Sequence, residues 1–276
     1  RWAAYTRAYQ AFHGTQNVNA VTSARALLAA ARQGKLQSMR KWLVAHCDAI
    51  GETSFFFRKD ADFFHLLYVS PSGDVLAQDL KEISSRAEIL TADVVTKATG
   101  TEAVLGLFEG GGFHLSTTLV RMCRTGNPGG EDQGVVDEVR FARADEAGRL
   151  HEVLNRHFDR YAEQIPSPAE IAADIGRERF LLIDQEGIVA GLVPFEVAGL
   201  TSHLRRWFVD PARRGCNVGS RLLRRYFALS GKATRFILWV LEGNGNAIDR
   251  YQHYGYRVDD LVDTIFINKE RLRHGS

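Results

Sequence analysis

The sequence predicts an α/β (α+β) fold, a mixed sheet flanked by helices, on three observations. The hydrophobic period switches repeatedly between helical and strand spacing along the second half of the chain. A stretch rich in Gly, Pro, Asn and acid, TGNPGGEDQG at 125–134, divides the chain near its middle. The same order of segments recurs before that stretch. In the second half, Leu150, Val153, Leu154, Phe158 and Tyr161 fall at helical spacing over 147–161, and Pro166 and Pro168 end that run. A second short helix is expected at 169–176. Strands follow at 180–183 and 188–196 around a turn at 184–187, and a third at 202–209 ends on Asp210-Pro211. A helix then buries Val218, Leu222, Leu223, Tyr226 and Phe227. After it come a strand at 235–241, a helix at 246–254 and a final strand at 262–268. Strands interleaved with helices in this order require a sheet covered by helices.

Composition narrows the class. The chain has 276 residues, 45% apolar and 25% charged, so it can bury a core and is neither disordered nor coiled-coil. Its length suits two domains, with expected bounds at 1–124 and 137–276 around a linker at 125–136. No uncharged apolar run reaches the roughly 18 residues of a membrane span, and the apolar stretch at 20–31 is broken by Arg25. The expected compartment is therefore the cytoplasm, without membrane attachment. Cys47, Cys123 and Cys216 form no CxxC pair, so neither a disulfide framework nor a metal site is expected.

Charge becomes informative only locally. The formal net charge is +2, yet seven arginines fall between Arg205 and Arg225, opposed by Asp210 alone. This basic zone lies in the segment WFVDPARRGCNVGSRLL, which runs from Trp207 to Leu223. A strand delivers the chain to a loop holding Arg213, Arg214, Gly215, Asn217 and Gly219, and a helix begins near Val218. Small residues let backbone N–H groups approach an anion, the helix N-terminus adds unpaired donors, and the arginines add charge. The loop lacks both the GK[ST] ending of a P-loop and the GxGxxG pattern of dinucleotide folds. From spacing alone it reads equally as a pyrophosphate cradle or as a loosened turn before an exposed basic helix.

A second segment decides between these readings. Residues 244–256 read NGNAIDRYQHYGY directly after the strand FILWVLE, with Asn244, Ala247, Tyr251 and Gly255-Tyr256 at relative positions 0, +3, +7, +11 and +12. Together the two segments resemble the GNAT superfamily of acyl-CoA-dependent N-acyltransferases, whose acyl-CoA motif is R-x-x-G-x-G/A and whose later helix reads N-x-x-A-x-x-x-Y-x-x-x-G-[FY]. The resemblance covers about 137–268 and makes the expected fold GNAT-like. It implies acetyl-CoA or another acyl-CoA as donor and a small-molecule or peptide amine as acceptor. Donor binding would fall to Arg213, Arg214, Gly215, Cys216, Asn217, Val218, Gly219 and Ser220, with Asn217 in place of the family's central glycine. Asn is the non-glycine residue that best tolerates a left-handed backbone. The end of a splayed strand at Trp207, Phe208 and Val209 would pair with pantetheine and polarise the thioester, and Asn244 would touch the donor. Tyr251 matches the tyrosine that protonates the leaving thiolate. For the proton acceptor His203, Glu196 and Glu163 stay open, and Tyr161 and Glu163 lie where the family binds its acceptor. A homodimer is compatible with this reading. A non-catalytic CoA-binding or sensor module, or an Arg-rich nucleic-acid surface, is the competing one; interleaved exposed aromatics that would favour nucleic acid are missing.

The first half carries an echo of the second. Tyr68-Val69-Ser70-Pro71 matches Phe208-Val209-Asp210-Pro211 at an offset of 140. Phe108 matches Tyr251, and Gly112-Phe113 matches Gly255-Tyr256, both at 143. Segments at 63–70, 75–83, 88–95, 101–110 and 115–122 repeat the strand–helix order. Two tandem copies are expected, the first degenerate: its loop reads SPSGDV without arginine, and Phe108 has no proton to give.

Overall fold

The computed structural model describes residues 21–22, 46–60, 62–126 and 138–269. Except for Thr125 and Gly126, the linker expected at 125–136 lies outside them. The chain divides into two compact units, residues 1–119 with 260–276, and residues 120–259.

In the first unit, Phe55, Phe57, Leu66 and Tyr68 alternate along neighbouring strands and point at one core. They lie on β3 (Thr53–Lys59) and β4 (Phe63–Ser70), which with β2 (His46–Ile50) pair antiparallel in sequence order; β1 (Val21–Thr22) is a two-residue strand beside β4. Ser72 then caps α1 (Gly73–Ser84), its side chain accepting from the Val75 N–H at 3.3 Å. Leu76, Leu80 and Ile83 recur on one face of α1 and seal the core. The chain returns as β5 (Ile89–Lys97), parallel to β4, and continues into α2 (Thr101–Gly110). Residues 261–267, near the C-terminus, close this sheet by pairing antiparallel with β5. Phe108 of α2 stacks on Phe266 of that strand with ring centroids 4.3 Å apart, so Phe108 is a core residue.

The second unit takes in the end of β6 (His114–Thr125) from Val120 onward. Then follow β7 (Arg140–Phe141), α3 (Ala147–His157), α4 (Pro168–Ile175), β8 (Phe180–Gln185), β9 (Ile188–Ala198), β10 (Thr201–Leu204), β11 (Phe208–Val209), α5 (Val218–Leu229), β12 (Arg235–Leu241), α6 (Gly245–His253) and β13 (Arg257–Ile267). The strand order is β6-β12-β10-β9-β8-β7, with β11 paired to β9. The β10–β12 pair is parallel, while β7–β8, β8–β9 and β9–β10 are antiparallel. The sheet is mixed, as the sequence predicts. Leu150, Leu154, Ile171 and Ile175 cover one face, meeting Leu182, Leu192 and Phe208. Gly191 faces the other way, and α5 lies so close there that a Cβ would meet Val218 at 2.7 Å and Leu222 at 2.8 Å.

Three expectations change in detail. The helix expected over 147–161 ends at His157, and Tyr161 is buried in the loop that follows. The last strand starts at Arg257, earlier than the expected 262, and its end belongs to the first unit. The single strand expected over 202–209 is two. Leu204 pairs with Phe195 and Phe208 with Leu192, so three residues (205–207) oppose two on β9. This one-residue bulge sits opposite Pro194, which has no N–H for the ladder and only accepts from Arg205 N at 2.9 Å.

Candidate active site

The bulge sets up the site. Parallel pairing of β10 with β12 covers only Thr201–His203 against Arg235–Ile237. Beyond it β12 runs on to Leu241, while β11 pairs only with β9. The strands thus splay, and the backbone of Trp207–Val209 faces a gap between α5 and α6. Past Val209, the Asp210 carboxylate accepts from Ala212 N at 2.8 Å and starts the arginine loop. The loop closes through two left-handed residues, Gly215 at φ +84° and Asn217 at φ +57°, the latter the N-cap of α5. Asn217 therefore holds the conformation that glycine would adopt there.

A cavity of about 390 Å³ occupies this gap. Of the residues expected at a donor loop, Trp207, Val209, Arg213, Arg214, Gly215, Asn217, Val218, Gly219 and Ser220 line it, and Phe208, Cys216, Asn244 and Tyr251 do not. Each of the four has a physical reason. The Phe208 ring points into the core beneath α3 and α4. Cys216 is exposed on the loop's outer side. The side chain of Asn244 caps α6, accepting from Ala247 N at 3.2 Å. Tyr251 is buried behind Trp207, the two ring centroids 5.5 Å apart. The opposite wall comes from α6, through Asp249, Arg250 and His253, and from its C-cap Tyr254. Sequence reasoning missed these four. Their signal is helical spacing around Tyr251, which puts 249, 250, 253 and 254 beside the motif positions. Tyr254 is tied to the loop, its hydroxyl donating to Ser220 Oγ at 2.8 Å. Arg124 holds the end of α6 through the Tyr254 carbonyl.

The cavity is electropositive. Arg213 pairs with the exposed Glu186 at 2.9 Å, while Arg214 is exposed and, among the described residues, meets no carboxylate. The first turn of α5 presents N–H groups to the same space, so the wall suits a polyanion. Trp207 contributes a buried indole N–H with no hydrogen-bond partner among the described residues. An unsatisfied donor, an unpaired arginine and a helix terminus together fit the diphosphate and amide groups of an acyl-CoA.

The loop after α3 carries Tyr161 and Glu163. Burial pushes the Glu163 carboxyl up to about 7, against the opposing pull of Arg206. Burial also raises the Tyr251 phenol far above its ordinary value, and the charge of Glu163 adds to that rise. Arg206 fixes the loop by donating to the carbonyls of Glu163 and Gln164, and Tyr161 is buried beside it. The other two base candidates sit differently. His203 lies opposite Glu196 across β10 and β9. Burial and the charges of Arg205, Arg206 and Arg121 push the His203 imidazole down to about 3, so it is neutral and weakly basic. Glu196 is bound to Arg205 at 2.8 Å and Arg179 at 3.5 Å, and its carboxyl lies below the usual value, the arginines outweighing burial.

Residues 148–256 match the sequence profile of the Acetyltransferase (GNAT) family. This segment is a GNAT domain. Among solved structures, the protein resembles a GCN5-related N-acetyltransferase from Kribbella flavida at 15% identity, covering 88% of this chain and 96% of that one, with a TM-score of 0.55. It also resembles one from Sphaerobacter thermophilus at 15% identity, covering 78% and 76%, with a TM-score of 0.53. A tandem GNAT protein of the clavulanic acid biosynthesis pathway aligns at 13% identity over 78% of each chain, with a TM-score of 0.50. No curated protein matches the sequence. At these identities the likeness is one of fold, a GNAT-like mixed sheet flanked by helices. Among the described residues, no helix is long and apolar enough to cross a membrane, and no group of three or more His, Cys, Asp or Glu side chains is placed to hold a metal ion.

Proposed function

We propose that the GNAT domain transfers an acetyl or other short acyl group from acyl-CoA to a primary amine of a small molecule or peptide, in the cytoplasm. The observation that carries this is the cavity at the splay. Its arginine loop and helix N-terminus suit the donor's diphosphate, and Tyr251 lies directly behind its inner wall. Arg213, Arg214 and the N–H groups of Gly219 and Ser220 hold the diphosphate end, and the backbone of Trp207–Val209 aligns the pantetheine arm. The amine nitrogen attacks the thioester carbon directly, forming C–N as C–S breaks. Glu163 takes the proton released by the amine; with its carboxyl near 7 it is half ionised at neutral pH and matched to that task. Tyr251, which keeps its proton throughout the neutral range, gives it to the departing sulfur. His203 and Glu196 are better understood as parts of the neutral and ion-paired frame around the acceptor loop.

The first unit is proposed as a degenerate copy of the same fold. In both units an antiparallel strand pair leads into a parallel one, with a helix between and another after. In the first, however, β1 pairs with Val69 and Ser70 on the edge of β4 that β5 has left, and Phe108 is packed in the core. The edge that faces a cavity in one unit is taken by the chain itself in the other.

A CoA-release assay over a panel of amines, with acetyl-CoA as donor, tests the proposal. Turnover with at least one primary amine, reduced in Tyr251→Phe, is expected. Donor binding without turnover on any amine would favour a CoA-binding module instead.

A further inference from the structure

Trp207 stands between the donor cavity and Tyr251. Its indole lines the cavity, whereas Tyr251 is only 7% exposed and takes no part in the lining. On one side the ring meets Tyr251 and Tyr254, at centroid distances of 5.5 and 5.7 Å. On the other it packs against the first turn of α5, where a Cβ on Gly219 would come within 2.7 Å of Cζ2 and 3.2 Å of Nε1. The indole already uses the space that a side chain at 219 would take, so it has no room to retreat towards the helix. Tyr254 is itself held through its hydroxyl by Ser220, which fixes the second wall. The ring is therefore packed on two sides, and among the described residues its N–H has no hydrogen-bond partner.

We propose that Trp207 is a specificity-determining residue of this site: it narrows the way from the donor cavity to Tyr251, so that the thioester sulfur reaches the phenol only alongside the indole. The inference rests on the acyltransferase reading and deepens it, because a narrowed passage discriminates by volume. An acetyl group takes little room beyond the thioester carbon, whereas a six- or eight-carbon chain competes with the ring for the same space. In a close-packed wall, discrimination by size grows with each added methylene. The sequence pattern alone gives Trp207 only a backbone role, since this packing depends on Gly219, Tyr251 and Tyr254 meeting around it.

The test is the ratio of kcat/KM for acetyl-CoA to that for octanoyl-CoA, followed by CoA release with one accepted amine. The intact protein should favour acetyl-CoA by at least about tenfold. In Trp207→Ala the ratio should fall below about threefold, chiefly through a lower KM for the octanoyl donor, and in Trp207→Leu it should lie between. Any loss of affinity for free CoA in these variants, measured by calorimetry, falls on both donors alike and leaves the ratio unaffected. The Leu variant keeps the test decisive if the Ala variant does not fold. An unchanged ratio in folded variants, or an intact protein that turns over both donors equally, overturns the role of Trp207 while leaving the acyltransferase reading in place. Failure of the intact protein to bind any acyl-CoA overturns both.

Discussion

Glu163 and Tyr251 are ionisable groups driven in the same direction by burial, with opposite chemical consequences. A carboxyl raised to about 7 becomes a usable base, whereas a phenol raised further remains a proton donor. As the proposed base, Glu163 would work only as the carboxylate, so kcat/KM should rise with pH through about 7 and level off above it. Glu163→Gln should remove that limb from the pH profile and slow turnover by about 10²-fold or more. A limb that persists near 7 in the variant would assign the titration to another group. Tyr251→Phe should lower kcat more than it weakens donor binding, a split visible by comparing turnover with a calorimetric Kd. At Asn217 the backbone conformation makes the prediction. Asn217→Ala should lower stability by about 1 kcal/mol in a thermal melt, and Asn217→Gly should not, because φ is +57° there. Asn217 and the arginines were legible in the sequence through motif spacing. A choice among the base candidates was not, since the residue types of His203, Glu196 and Glu163 all permit the role, and the proposal of Glu163 rests on its burial, which no residue type encodes.

Elements were legible wherever one pattern governs a segment. The strands expected at 180–183, 188–196 and 235–241 and the helices expected at 169–176 and from near Val218 come from period and end signals, and the observed elements at 180–185, 188–198, 235–241, 168–175 and 218–229 match them to within two residues. The break after Leu204 was not legible, because the cause lies on the neighbouring strand. Period-2 alternation cannot show that Pro194 stands opposite residues 205–207. Packing at β9 and α5 gives a direct prediction. Gly191→Ala should cost about 1–3 kcal/mol, measured by denaturant unfolding, because the added methyl meets Val218, Leu222 and the Phe208 carbonyl. The start of α3 gives a pH-dependent one. Glu146 is buried, accepts from both guanidinium nitrogens of Arg140 at 2.7 and 2.8 Å, and its carboxyl is held at about 2, chiefly by that guanidinium. A depressed carboxylate stabilises above its unfolded value and loses that contribution as pH falls towards the folded one. Glu146→Gln should therefore destabilise the protein at pH 7 and make much less difference near pH 2.

At the scale of the whole molecule, the sequence shows two halves and a shared order of elements, and its acidic, Gly-rich stretch separates them. It does not show that the chain enters the second unit within β6 and leaves it within β13. Strand partners at such sequence separations are set by tertiary pairing, which no local period encodes. The contrast between the halves is chemical. One has a loop with Arg213 and Arg214 and a cavity of about 390 Å³, while the other has the loop SPSGDV, a neighbouring strand on the matching edge, and Phe108 in its core. Acetyl-CoA at 100 times its Kd should therefore raise stability by about 2.7 kcal/mol, as expected for a single site. The most direct measurement is a calorimetric titration of the intact protein with acetyl-CoA, repeated on Arg214→Ala. One site per chain, weakened about tenfold or more in the variant, is the predicted result. Two sites per chain, no binding, or binding indifferent to Arg214 would contradict the account.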